Sequence, residues 1–417
     1  MRLISKHSPK IIKKSLLQPR RQGLWRCCFA TSLTIALLSG CQDKPTPIST
    51  TEPIPSPKPT TAALTTETEG TLERVKARGK LICGVNGKLV GFSYIDDKGA
   101  WSGLDVDYCK AIAAAVLGDA KAVEFKPLLA KERFTSVQNG EVDILMRNTT
   151  RTLTRDVTPN ISFAPTTFFD GQGLMVRIGA SSSSPKSTAS PSVTPTPITE
   201  AKIEAKSGKQ TPKTSEELAI ALKELTGKKI CVEIGISAFN LESAFKEANI
   251  DIIPMALPDI DSVLNAYSKG ECEVISSEKS QLAVWRSKLP RPADHKILDM
   301  SFSKEPFSPA IIGNDPRWLD VVTWVVYATF YAEELGVNTD NYTIFKDTKN
   351  PEIAKFIGTS DSLGIELGLA PDWTTQILKQ VGSYSDIYNR NLAPLDIPRG
   401  LNRTWKQGGL LYSMPFR

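Results

Sequence analysis

Three loops in this chain carry the residue types needed to hold a small dipolar molecule. The first, Arg147-Asn148-Thr149-Thr150-Arg151-Thr152-Leu153-Thr154-Arg155, is dense in hydroxyls and guanidiniums. An arginine fork donates to a carboxylate bidentately, and hydroxyls and an amide suit a carboxylate or an ammonium group. The second begins at Gly235 and sets Ser237 ahead of a predicted helix, a position that favours an anion. The third, Ser276-Ser277-Glu278, offers a carboxylate for an ammonium group. An anion clamp and a cation clamp facing across a cleft describe a site for a zwitterion. Solvated loops and helix caps are the alternative use of the same residues.

The elements that must position these loops follow from hydrophobic periodicity. Lys80 to Val85 reads as a strand, and Val106, Cys109, Ile112, Ala113 and Val116 recur at helical spacing. Val123 and Phe125 alternate in a second strand, Phe134 and Val137 mark a helix, and residues 142–146 (VDILM) form a third strand. The order repeats: a strand at 228–234, a helix from about Asn240, a strand at 250–257, a helix from Ile260 to Tyr267 and a strand at 272–276. Strand–helix alternation predicts parallel sheets covered on both faces, the doubly wound α/β class. Residues 133–146 and 262–275 share the layout helix, Gly, acid, strand, an echo that suggests two equivalent lobes. Ligands of such sheets bind beyond the carboxyl ends of the strands, which is where the three loops begin.

Composition removes several classes of function. The 417 residues suffice for two or three domains. Eight of the 51 basic residues fall in residues 1–40, which hold no acid, so the remainder carries 43 bases against 45 acids. Nucleic-acid binding needs a concentrated basic face, and none is expected here. The two histidines, His7 and His295, leave no His-based metal cluster and argue against a Ser-His-Asp hydrolase. No cofactor is expected.

Residues 1–40 read as a signal peptide: a basic head, the uncharged stretch Cys27 to Gly40, then Leu38-Ser39-Gly40-Cys41, which resembles a bacterial lipobox with Cys41 as the lipidated residue. An ordinary signal peptide with an incidental cysteine, or an uncut anchor, is the alternative. Residues 41–69 and 179–214 are rich in Pro, Ser and Thr and poor in large apolar groups. The first reads as a disordered tether, the second as a disordered surface insertion within the folded body. The apolar run Trp318 to Tyr331 contains Asp320 and reads as a core helix rather than a membrane span.

Longer segments bring a resemblance. GTLERVKARGKLICGV, GFSYIDDKGAWSGLDVDYCKAIAAAVLGD, RFTSVQNGEVDILMRNTTRTLTRD and FFDGQGLMVR, then SKEPFSP, YAEELGVN, NPEIAKFIGT and RGLNRTWKQGGLLYSMPFR, resemble the solute-binding proteins of bacterial general L-amino acid ABC transporters. The resemblance spans Gly70 to Arg417 apart from the insertion. It implies a two-lobed periplasmic-binding fold with a two-strand hinge, lobe one from 70–175 and 306–417 and lobe two from 176–305. It further implies a monomer in the periplasm that closes on an L-amino acid and delivers it to an ABC permease and ATPase in the inner membrane, with the lipid holding it to a membrane. By position, Arg155 matches the arginine for the ligand α-carboxylate, Asn148 and Thr150 the polar residues beside the ligand backbone, Glu278 the acid for the α-ammonium, and Ser237 a hydroxyl assisting from lobe two.

The chain also departs from that pattern. Gly235-Ile236-Ser237-Ala238-Phe239 stands where a glycine, three threonines and a glutamate are usual, Arg151 stands where a tryptophan is usual, and Glu278 where an aspartate is usual. Leu89, Phe92 and Arg147 are candidates for the pocket wall, with core packing or a surface role as the alternative. Four body cysteines allow three pairings. Cys83 with Cys109 and Cys231 with Cys272 keep each link inside one lobe, whereas a cross-lobe link would obstruct hinge motion; four buried thiols are the alternative. A ligand sensor reporting to a membrane receptor, and a dehydratase or lyase using Glu278 as general acid, are the other readings the scaffold permits.

Overall fold

The structure is a computed structural model and describes residues 70–178, 222–360 and 363–417. Cys41, the signal segment, the 41–69 stretch and the 179–214 insertion lie outside the described residues.

The chain enters through α1 (Thr71–Arg78) and β1 (Leu81–Val85), then makes a small antiparallel meander of β2 (Lys88–Leu89), β3 (Ser93–Ile95) and β4 (Trp101–Ser102). Helix α2 (Leu104–Leu117) follows, and eleven of its residues are buried. A helix that is apolar nearly all round belongs inside a domain, and this one is sandwiched in the main core of lobe one. It stops at Gly118, whose left-handed φ of 73° lets its N–H reach back to the Ala114 carbonyl. Next come β5 (Val123–Pro127), α3 (Arg133–Gln138), β6 (Ile144–Leu145), α4 (Leu153–Asp156) and β7 (Ile161–Phe163).

Strand β8 (Phe168–Asp170) lies outside both large sheets, and β9 (Gln172–Arg177) already belongs to the second. The second sheet continues with β10 (Lys229–Glu233), α5 (Ile236–Glu247), β11 (Ile253–Leu257), α6 (Ile260–Lys269), β12 (Val274–Glu278), α7 (Lys279–Lys288) and β13 (His295–Ile297). Strand β14 (Glu305–Phe307) then pairs antiparallel with β8, and β15 (Ala310–Ile312) rejoins the first sheet. The expected two-strand connection is therefore β8 with β14. The second sheet begins at Gln172, a few residues before the expected lobe boundary at 176.

The sheets are mixed rather than wholly parallel. Their orders are β5-β1-β6-β15-β7 and β11-β10-β12-β9-β13, with the first three strands of each parallel and the crossing strand, β15 or β9, antiparallel. The reason is connectivity: β9 and β15 arrive from the other lobe, so they enter each sheet from the cleft end and run opposite to strands whose carboxyl ends point there. Strand–helix alternation does not reveal this reversal.

In lobe two, side-chain alternation sends Leu174, Val176, Ile230, Val232 and Val274 to one buried face and Met175, Cys231 and Ile275 to the other. Burial on both faces explains why β10 reads as an unbroken apolar run. Lobe one is closed by α8 (Pro316–Leu335), capped by Asp315, whose carboxylate accepts the Trp318 N–H at 3.0 Å. No helix among the described residues is long and apolar enough to cross a membrane. The C-terminal segment packs on α8: the Phe416 ring stacks on Tyr331 at 4.9 Å, and Trp373, Tyr384 and Leu411 join the same core. Disulfides Cys83–Cys109 and Cys231–Cys272 tie β1 to α2 and β10 to the turn before β12, each within one lobe.

Candidate functional site

The carboxyl ends of β6, β10 and β12 all open on the side from which the crossing strands enter. After β6 the chain turns sharply at Asn148, whose φ is 36°. That left-handed backbone is disfavoured for a side-chain-bearing residue but tolerated by Asn. It is held by the Asp105 carboxylate, which accepts the Asn148 N–H at 2.9 Å. Asp105 itself sits at the start of α2, its N–H donating to the Phe92 carbonyl at 2.9 Å. Burial raises the Asp105 carboxyl to about 7, against the pull of the Asn148 N–H and the Arg147 charge.

Thr150 is buried, and its hydroxyl donates to Glu305 Oε2 at 2.7 Å. Its carbonyl accepts from Arg155 Nη1 at 2.8 Å. Helix α4 is capped by Thr152, whose hydroxyl accepts the Arg155 N–H at 3.4 Å. Burial lowers the Arg155 pKa, and the carboxylates of Glu305 and Glu278 oppose that fall. Glu278 ends β12 in lobe two and accepts from the Ser277 hydroxyl at 2.9 Å. Burial pushes its carboxyl above the usual range, Glu305 pushes the same way, and Arg155 pulls it down. A guanidinium on one lobe and a carboxylate on the other thus act on each other across the cleft.

Ser237 is buried in the first turn of α5, after Gly235 with φ of 116°. Its carbonyl accepts from Gln172 Nε2 at 2.7 Å. In the remodelled turn around it, Ile236 and Phe239 are exposed. Arg147 donates from Nε to the Leu128 carbonyl at 2.8 Å, and Asp105, Glu132 and Glu233 act on its charge. Arg151 is exposed and doubly bonded to Asp156 at 3.0 Å, a solvated surface pair. The structure places Leu89 and Phe92 in the lobe-one core, where the Phe92 ring meets Phe168 and Phe307 edge-on at 5.1 and 5.8 Å.

Three residues at this junction escaped the sequence reading. Glu305, on the returning crossing strand, accepts from Thr150 of lobe one, from Asn240 Nδ2 of lobe two at 3.3 Å and from Ser303 at 2.8 Å. Gln172, on the outgoing strand, donates to Ser276 Oγ at 2.9 Å and accepts from Asn240 at 3.1 Å. The available signal was a polar side chain beside apolar neighbours in each crossing segment, Gln172 before Leu174 and Glu305 before Phe307. The third is Arg133, 8% exposed, with its guanidinium 5.1 Å from the Phe134 ring centroid. Arg155 lies over the same ring at 5.9 Å. Among the described residues, two buried side-chain polar atoms lack any hydrogen-bond partner: Asn148 Oδ1 and Arg133 Nε. Native interiors leave few such atoms, so each calls for a physical explanation.

Comparison with known proteins matches residues 81–277 to the bacterial extracellular solute-binding proteins, family 3. The general L-amino acid-binding periplasmic protein AapJ of Rhizobium johnstonii is 40% identical over 353 residues, covering 83% of this chain and 93% of its own. The chain belongs to family 3 of the bacterial extracellular solute-binding proteins. A second family relative, the glutamate/glutamine/aspartate/asparagine-binding protein BztA of Rhodobacter capsulatus, is 36% identical, covering 83% of this chain and 93% of its own. A solved periplasmic binding protein from Brucella ovis, with glutathione bound, superposes with a TM-score of 0.69 at 38% identity, covering 84% of this chain and all of that one. All three are named as binding proteins, and the Brucella ovis protein has the two-lobed α/β fold described above.

Proposed function

We propose that this protein is a lipid-anchored periplasmic receptor that captures an L-amino acid between its lobes and presents it to an ABC permease and ATPase. The observation that carries this reading is the Arg155–Glu278 opposition, with the unpartnered Asn148 Oδ1 between elements of lobe one. Arg155 donates to the α-carboxylate, assisted by the Ser237 hydroxyl. Glu278 and Asn148 Oδ1 accept from the α-ammonium, beside Thr150. Charge-assisted hydrogen bonds of this kind strengthen as water is excluded. Because the ligand touches both lobes, it favours the closed state over the open one, and only such differential affinity can drive closure. The names of the relatives support an amino acid as cargo, and Leu38 to Cys41 support the lipid anchor.

A thermal-shift screen of the twenty amino acids tests the site. A ligand at one hundred times Kd adds about 2.7 kcal/mol, seen as a raised midpoint. Arg155→Ala is expected to abolish that rise while leaving the ligand-free midpoint within a few degrees. An unchanged rise removes Arg155 from the site.

A further inference from the structure

We propose that lobe two carries a second binding site, remote from the cleft, for a dianionic oxyanion of the sulfate or phosphate type. A cavity of about 200 Å³ there is lined by Arg177, Arg291, Asp294 and His295, with Leu289 and Pro290 beside them. Arg177 ends β9, roughly 17 Å along the strand from Gln172 at its cleft end. His295 opens β13 and is the register partner of Arg177 on the neighbouring antiparallel strand. Directly opposed residues of such strands point to the same face, so the guanidinium and the imidazole share one side of the sheet. None of these residues belongs to the cleft, and the site stands or falls separately from amino-acid capture.

The donors are held in place and only partly used. The Arg177 guanidinium lies over the Tyr267 ring at 5.5 Å, and its Nη2 donates to the Tyr267 carbonyl at 3.0 Å. Among the described residues it forms no ion pair, and its Nε and Nη1 donate to none of them. His295 is 9% exposed, and the Tyr267 hydroxyl holds its Nδ1 at 2.9 Å, which leaves Nε2 without a partner among those residues. Nε2 is a donor whenever the ring is charged, and also in the neutral tautomer in which Tyr267 donates to Nδ1. Arg291 pairs through Nε with Asp294 at 2.9 Å. Burial lowers the His295 pKa, Arg177 and Arg291 lower it further, and Asp294 opposes them. Two guanidiniums thus act on one imidazole against a single carboxylate, and the net field in the cavity is positive. An anion entering it relieves that excess. Several converging N–H donors engage a tetrahedral dianion through more than one oxygen, with charge-assisted bonds at each. A monocarboxylate brings half the charge and fewer oxygens.

The test is NMR of the full His7→Ala chain in detergent, labelled with ¹⁵N at histidine, in which His295 gives the one imidazole signal. Sodium sulfate is titrated against sodium chloride at matched ionic strength, so that screening is the same in both. The expected result is a saturable shift of the His295 signal in sulfate alone. Its titration midpoint should also stand about 0.5 pH unit or more higher in sulfate than in chloride, since a bound anion favours the imidazolium. Arg177→Gln is expected to weaken sulfate binding tenfold or more, and Arg291→Gln threefold or more. Inorganic phosphate and glycerol 3-phosphate at pH 8 separate the sources. An ester bound as tightly as the free ion assigns the site to a phosphate group on a larger molecule, and an ester bound tenfold more weakly assigns it to the free ion. Sodium acetate should bind at least tenfold more weakly than sulfate, and acetate equal to sulfate overturns the dianion assignment. Identical His295 shifts in chloride and sulfate, or sulfate binding unchanged in both variants, overturns the site itself. Should Arg177→Gln fail to fold, Arg291→Gln, whose side chain is exposed, decides the matter alone.

Discussion

Asp105→Asn isolates the carboxylate that holds the Asn148 turn. Asp105 is 2% exposed, and its acceptor oxygen takes the Asn148 N–H at 2.9 Å. Asparagine keeps an oxygen in that place and discards the charge. A carboxyl raised from the ordinary aspartate value to about 7 is disfavoured in its charged form by about 4 kcal/mol. Its folded pKa lies above its unfolded one, so the native state holds a proton that the unfolded chain releases. The stability this contributes is whole below about pH 4 and is lost as the pH rises to about 7, by up to ~1.4 kcal/mol per pH unit. The advantage of Asp105→Asn over the native protein should therefore grow through that window and level off above it. Urea unfolding at pH 5, 6, 7 and 8 reads the difference. Asp170, raised to about 7 by burial as well, titrates in both proteins and cancels. A difference between variant and native protein that stays flat with pH refutes the reasoning, whatever its size.

Two further perturbations test the scaffold. Replacing Cys231 and Cys272, which close 41 residues of chain, by alanine should cost about 4 kcal/mol in chemical unfolding, and replacing Cys83 and Cys109, 26 residues apart, slightly less; neither change should abolish ligand binding, because both links lie within a lobe. Gly103→Ala should cost at least ~2 kcal/mol, since φ is 127° there and an added Cβ would sit 2.0 Å from the Phe92 carbonyl oxygen that accepts the Asp105 N–H. Gly99→Ala, where φ is 80° but no atom lies within 4 Å of an added Cβ, is the control for the left-handed backbone alone and should cost about 1–2 kcal/mol, less than Gly103→Ala.

The strands and helices of both lobes were legible because burial imposes periodicity. Residues 81–85, 123–127 and 229–233 are strands close to where their apolar runs place them. Helix boundaries were less so: α5 begins at Ile236 rather than about Asn240, since its first turn exposes Ile236 and Phe239 and carries no apolar stripe to read.

What the sequence determined alone is the local chemistry: which strand ends lead into the loops that carry Asn148, Thr150, Arg155, Ser237 and Glu278. These follow from short-range periodicity and from the order of elements along the chain. Only the tertiary structure decided that β9 and β15 run antiparallel, that Glu305 joins the two lobes while Gln172 ties β9 to α5 and β12, and that Arg133 is buried with its Nε unpaired. Whether a buried donor is satisfied depends on every group that chain segments far apart in sequence bring around it. The phasing of apolar residues holds no record of that sum.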